Sequence, residues 1–285
     1  MTRSIMLFFI ALQVLSGLAP ASAEESESRL PAGFVYLRKI DSTIIQDIRY
    51  ATPINFTGAK VPGYMAAECL LLREVAVALK SVQDELHKNR LSLKVYDCYR
   101  PQRAVSAFLD WAKNPDAKSV DRFFPRTPRT DLVQFGYIAA VSSHSKGTAV
   151  DVTIVPLPRK PTPPIEVDKA YGSCIAPKVE REPDESLDMG TSYDCFDLKS
   201  RNPTVLELLS KAKSTTPQEV SALEDPTKLV DITEEQYSNR ELLTSVMMRH
   251  GFKGISTEWW HFSYVGIERQ LLSQNFPVTA AFGQR

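Results

Sequence analysis

Beyond residue 23 the chain has no run approaching 18 continuous apolar residues, so no later segment is expected to cross a membrane as a helix. It also lacks any Lys/Arg cluster, and its 34 basic and 34 acidic residues cancel. Such a surface cannot neutralise a string of phosphates, which argues against nucleic acid as a partner, and it offers no polybasic patch to an anionic membrane. Internal repeats are absent. The four cysteines contain no CxxC pair, so a cysteine zinc site is not expected.

What is present begins with an export signal. Arg3 supplies a positive start, Ile5 to Leu18 an apolar stretch, and Ala21-Ser22-Ala23 a small-residue cleavage site before Glu24. Gln13, Ser16 and Pro20 interrupt the apolar stretch and disfavour a membrane anchor. Removing residues 1–23 leaves 262 of the 285 residues, enough for a sizeable core in residues 24–285. The expected location is periplasmic or secreted. In such a compartment Cys69, Cys98, Cys174 and Cys195 fit two disulfides. Three pairings are open, and Cys69–Cys98 with Cys174–Cys195 is preferred. The first ties a helix to a neighbouring strand, and the second staples a proline-rich insertion. Asn55-Phe56-Thr57 matches a glycosylation sequon, a tripeptide common by chance.

After a polar stretch at 24–29, Phe34–Ile40 and Thr43–Tyr50 read as strands and 51–65 as a loop. Leu72, Val75, Leu79, Val82 and Leu86 recur at helical spacing within a helix over Glu68–His87. Leu91–Cys98 reads as a strand, and Pro101 opens a helix to Lys113 with Val105, Phe108 and Ala112 inward. Val150–Val155 has the β-branched composition of a central strand. Residues 156–185 hold seven prolines and no apolar periodicity, which predicts an inserted surface loop. Short helices are expected at Thr204–Lys213 and Asn239–His250, the latter capped by Gly251. Phe252–Ser256 and Trp259–Val265 close the chain as strands. Helices and strands mix without βαβ alternation, so the expected fold class is α+β: a single domain with a central, largely antiparallel sheet flanked by helices.

Three short stretches carry the chemistry: Ser142 to Asp151, Glu258-Trp259-Trp260-His261, and Asp97 to Pro101. A catalytic zinc takes three N/O ligands, an open position for water and a nearby carboxylate base. His144, Asp151 and His261 can supply the ligands and Glu258 the base. Asp151 lies inside an apolar strand sequence, where a carboxylate must be paired, hydrogen-bonded or metal-bound. Glu258 and His261 are three apart, an odd offset on a strand, which places Glu258 at a bulge or strand start. Arg100 follows a strand end and offers a fixed cation for a developing oxyanion, with Asp97 available to orient it. Asp194 is a candidate partner for a substrate ammonium. Ser142 and Tyr99 stand near enough in sequence to touch substrate. His87 and His250 lie at helix ends, outside the site.

The ordered set SxHxxGxAxD, EWWH and the upstream DxYRPxRAV resembles the D-alanyl-D-alanine dipeptidases of the zinc D-Ala-D-Ala metallopeptidase superfamily, the vancomycin-resistance dipeptidase type. The resemblance extends to Arg49-Tyr50-Ala51-Thr52 with Asn55-Phe56-Thr57-Gly58, and to Met189-Gly190-Thr191 with Asp194. It implies one Zn2+ per chain on His144, Asp151 and His261, with Glu258 as base and Arg100 as transition-state stabiliser. It also implies Asp194, with Tyr50, at the ammonium of a small peptide, D-Ala-D-Ala, and Ser142 at its carboxylate end. Two expansions, 156–185 and about 214–237, depart from the compact members and bear on substrate length. An exported form fits cell-wall peptide turnover better than antibiotic resistance. The alternatives are a D,D- or L,D-carboxypeptidase acting on peptidoglycan stems, and a non-enzymatic cell-wall-binding module, which would not need the base and the arginine.

Overall fold

Ser92 to Asp97 of β4 (Leu91–Asp97) and Ala149 to Val155 of β5 (Ala149–Pro156) are buried without a break, the mark of strands covered on both faces. They pair antiparallel at the centre of a five-stranded sheet in a computed structural model that describes residues 30–160, 162–202, 230–267 and 271–280. β2 (Ile45–Gln46) runs parallel to β4 at one edge, while β7 (His261–Tyr264) and β6 (Phe252–Gly254) extend the other edge antiparallel. A separate two-stranded ribbon joins β1 (Phe34–Tyr36) to β3 (Leu70–Leu72). The α+β architecture and the largely antiparallel sheet are those expected.

Leu93, Val95, Val152 and Ile154 are fully buried and share one core with Val75, Leu79, Val82 and Leu86 of α2 (Arg73–His87). α3 (Gln102–Lys113) buries Val105, Phe108 and Ala112, its predicted stripe, together with Ala104 and Trp111. Among the described residues no helix is long and apolar enough to cross a membrane. The signal at 1–23, the polar stretch at 24–29, the helix expected at Thr204–Lys213 and most of the expansion at 214–237 lie outside the described residues.

Several elements differ from their sequence reading. The strand expected over Phe34–Ile40 stops at Tyr36 and becomes the helical turn α1 (Leu37–Ile40), because its partner β3 is only three residues long. Residues 70–72 are that partner, so α2 starts at Arg73 rather than Glu68. In Thr43–Tyr50 only Ile45–Gln46 forms a strand, and Arg49–Ala51 is a 3-10 turn that buries both Arg49 and Tyr50. Arg49 turns inward to meet Asp47, Glu182 and Asp184, a pairing that overrides the alternation. The last helix, α4 (Glu234–Arg249), begins five residues earlier than expected, at a capping box made by Thr233 and Gln236. Within 156–185 the second half is not a surface loop: Cys174, Arg181 and Glu182 are buried. Glu182 pairs with Arg49 and Arg122, and Asp184 pairs with Lys94. Asn55 of the sequon is buried too, its amide donating to the carbonyls of Thr52 and Ala59.

Candidate metal and peptidase centre

Strand register brings the site together. Asp97 of β4 lies opposite Asp151 of β5, and Asp151 lies opposite His261 of β7, so the three stand abreast across the sheet. Regular alternation would not put Asp97 there. Lys94 pairs with Thr153, two residues from Asp151, whereas Asp97 lies an odd three residues beyond Lys94. An extra residue in β4, between Val95 and Asp97, makes a β-bulge and turns Asp97 onto the face that carries Asp151.

His144 arrives from a 3-10 turn, His144–Lys146, that ends at Gly147 with φ of +71°. A side chain at Gly147 would be strained there and would also strike the Phe34 ring, so only glycine lets the turn pack this closely. Glu258 sits before β7 in the turn that includes Trp259 and Trp260, which frees it from strand alternation. Both tryptophans are buried edge to face, and the Trp259 indole N–H donates to Thr191.

Three atoms converge. His144 Nε2 is 3.0 Å from His261 Nδ1 and 3.3 Å from Asp151 Oδ1, and His261 Nδ1 is 3.2 Å from the same oxygen. A tetrahedral zinc with bonds of about 2.0–2.1 Å holds its ligand atoms about 3.3–3.4 Å apart. The triangle therefore has the dimensions and the donor set of a zinc centre. The tautomers agree. His144 Nδ1 lies 2.6 Å from the Cys98 carbonyl, which can only accept, so Nδ1 carries the proton and Nε2 presents its lone pair. His261 turns Nε2 toward the hydroxyls of Ser263 and Ser143 and leaves Nδ1 to the triangle.

The electrostatics point the same way. Burial, aided by His144 and Arg100, pushes the His261 imidazole down and keeps it neutral, as a ligand must be. Burial would raise Asp151, but when a proton sits on the neighbouring rings the His144 and His261 contacts outweigh it and hold the carboxyl well below the usual range. Burial, then the Asp151 and Asp194 carboxylates, push Glu258 well up. Arg100 donates to Asp97 at 2.9 Å and reaches Asp151 Oδ2 at 3.5 Å, with its guanidinium over the Tyr50 and Phe108 rings. Asp97, Asp151, Asp194 and Glu258 thus gather around this guanidinium, an excess of negative charge that a divalent cation relieves.

Eight of the nine residues singled out from the sequence as catalytic, metal-binding or substrate-binding line one cavity of about 160 Å3: Tyr50, Arg100, Ser142, His144, Asp151, Asp194, Glu258 and His261. Tyr99 does not join them; its hydroxyl donates to the Phe276 carbonyl. His87 and His250 stay outside, beside Gln83 and Glu85 respectively. Tyr50 donates to Asp194 Oδ1 at 3.0 Å, so it orients the carboxylate. Asp194 Oδ2 is buried with no hydrogen-bond partner, and burial pushes the Asp194 carboxyl well up. A buried acceptor left open in this way is a place for a donor from a ligand. Ser142 Oγ accepts from the His144 backbone N–H at 3.3 Å.

Sequence reasoning missed the outer ring of the site. Tyr64 donates to Asp97 Oδ1 at 2.6 Å and Tyr193 donates to Asp151 Oδ2 at 3.0 Å. Burial pushes both phenols well up, so both remain donors. Arg240, fully buried on α4, donates to the carbonyls of Met189, Lys199 and Arg201 and so anchors the segment carrying Tyr193 and Asp194. Adjacency to Asp194 was a signal for Tyr193; nothing local marks Tyr64 or Arg240. Cys69 is bonded to Cys98 and Cys174 to Cys195.

Comparison with known proteins gives a consistent picture. The chain is 28% identical over 231 residues to a D-alanyl-D-alanine dipeptidase from Enterococcus faecium, covering 81% of this chain and 90% of that protein. It is 29% identical over 231 residues to the D-alanyl-D-alanine dipeptidase of Streptomyces coelicolor, with the same coverage. It is 27% identical over 216 residues to that of Escherichia coli strain K12, covering 76% of each. The profile of the D-ala-D-ala dipeptidase family matches residues 31–158 and 218–280, stretches that include Arg100, His144, Asp151, Glu258 and His261 and leave out the segment with Tyr193, Asp194 and the second disulfide. On that match, the chain belongs to the D-ala-D-ala dipeptidase family.

Proposed function

We propose that this protein is an exported, zinc-dependent D,D-dipeptidase that hydrolyses D-alanyl-D-alanine during turnover of cell-wall peptides. The observation that carries the reading is the His144–Asp151–His261 triangle, sides 3.0 to 3.3 Å, in one cavity with Glu258, Arg100 and the open Asp194 oxygen. The relatives named as D-alanyl-D-alanine dipeptidases support the substrate. The cavity, about 160 Å3, is small beside the roughly 300–1,000 Å3 of drug-sized ligand sites, which suits a dipeptide. Export is supported by the N-terminal signal pattern and by two disulfides, which persist in oxidising compartments.

His144, Asp151 and His261 would hold one zinc, which when bound supplies Lewis acidity to the scissile carbonyl and to the attacking water. Glu258 takes a proton from that water as its oxygen bonds to the carbonyl carbon. It then delivers the proton to the amine as the C–N bond breaks. Arg100, kept charged by Asp97, offers hydrogen bonds to the carbonyl oxygen as negative charge builds there, a contribution of about 3–4 kcal/mol for one preorganised donor. Asp194 Oδ2 receives the substrate's free ammonium, and this contact confines the enzyme to short peptides with an unblocked N-terminus.

Glu258→Gln separates these roles. The variant is expected to bind one zinc per chain, measured by elemental analysis, and to lose nearly all turnover of D-Ala-D-Ala. Wild-type rates in the variant, or no zinc in the wild-type protein, would overturn the reading.

A further inference from the structure

Asp151 presents its two oxygens to different neighbours. Oδ1 faces the two histidine nitrogens at 3.2 and 3.3 Å. Oδ2 accepts from the Tyr193 hydroxyl at 3.0 Å and lies 3.5 Å from Arg100 Nη2. The arginine contact is at the limit of hydrogen bonding, so the phenol is the stronger restraint. Tyr193 is itself held firmly. Its ring is buried and stacks on Tyr96 with centroids 4.5 Å apart and planes 10° apart, and Trp260 meets it edge to face. Tyr96 is fixed in turn by donating to Asp184, the partner of Lys94. Two residues beyond Tyr193, Cys195 is bonded to Cys174.

We propose that Tyr193 is a positioning residue of the metal centre: its hydroxyl occupies Asp151 Oδ2, so the carboxylate offers Oδ1 alone to the metal. A carboxylate free to rotate can bind through both oxygens and take up the position that water needs. One tied at Oδ2 keeps a three-ligand set with an open place. Ligand-orienting contacts of this sort typically change metal affinity by about 10–100-fold. The residue lies between the two stretches that the family profile matches, 31–158 and 218–280.

The inference rests on the zinc reading above, and the test separates the two. Zinc dissociation constants of wild type, Tyr193→Phe and Tyr99→Phe are measured by competition with a chromogenic chelator, and the cobalt-substituted proteins are compared by their visible absorption. Tyr193→Phe, which removes only the hydroxyl, should weaken zinc binding about 10–100-fold and change the cobalt spectrum. Tyr99→Phe removes a tyrosine hydroxyl that donates to the Phe276 carbonyl outside the cavity, and should leave both unchanged. Tyr193→Met serves if the phenylalanine variant folds poorly. Wild-type affinity and an unaltered spectrum in the Tyr193 variants would overturn the inference while leaving the zinc reading intact; a wild-type protein that binds no zinc would overturn both.

Discussion

Asp194 shows how much one residue's surroundings decide. It sits at φ of +58°, buried, with one oxygen held by Tyr50 and the other facing the cavity unpartnered. Burial disfavours its charge until a cation arrives. A substrate ammonium is such a cation, and a hydrogen bond to a charged group is worth about 1.5–3 kcal/mol. Asp194→Asn should therefore raise KM for D-Ala-D-Ala by about 10–100-fold on that figure, with a smaller effect on kcat. Steady-state kinetics on the zinc-loaded variant checks this; an unchanged KM would remove Asp194 from the ammonium site. The residues that share the cavity were legible in the sequence because their types suit only a few chemistries. Their partners were not. Tyr64, Tyr193 and the Ser143–Ser263 pair act through contacts across 33, 42 and 120 residues of chain, and no local spacing encodes those.

At the scale of elements, the strands that hold the site were legible from composition and their ends were not. Val150 to Val155 announced a central strand, but the bulge that turns Asp97 toward Asp151 depends on how β4 pairs with β5. Predicted strands at 34–40 and 43–50 proved short, the first because β3 offers only three residues to pair with and the second because the chain turns at Arg49–Ala51. One boundary was written in the sequence and passed over: Thr233 and Gln236, with Glu234 and Glu235 in the first turn, spell the start of α4. The Cys69–Cys98 bond also acts on the site through an element. The Cys98 carbonyl fixes the His144 tautomer, and the Arg100 backbone N–H donates to the His144 carbonyl at 3.3 Å. Breaking this bond by Cys69→Ala/Cys98→Ala should lower stability by about 2–4 kcal/mol in chemical denaturation. It should also weaken zinc binding measurably under conditions where the protein is still folded. Unaltered zinc affinity in the folded double variant would show that the bond serves stability alone.

At the scale of the whole molecule, buried charge ties together segments far apart in the chain. Arg49, Lys94, Glu182 and Asp184 join the 3-10 turn at 49–51, β4 and the ordered half of the insertion. Burial would raise Asp184, but Lys94 and Arg49 outweigh it and hold its carboxyl below the ordinary 3.8. A carboxyl depressed in the folded state contributes stability that is fully present above its unfolded value, near pH 4. That contribution is lost as pH falls through the folded value. Asp184→Asn should therefore lower the melting temperature at pH 7 and flatten its decline below about pH 4. Parallel melting curves from pH 7 to pH 2 for the variant and the wild type would refute this linkage.

The central claim, a zinc enzyme matched to a free dipeptide, is tested most directly by incubating the purified, zinc-loaded protein with D-Ala-D-Ala and, side by side, with a stem pentapeptide ending in D-Ala-D-Ala. The account predicts that free D-alanine is released from the dipeptide, that chelation abolishes the release and zinc restores it, and that the pentapeptide stays intact. Release of D-alanine from the pentapeptide with the dipeptide untouched, or dipeptide cleavage indifferent to chelation, would contradict it.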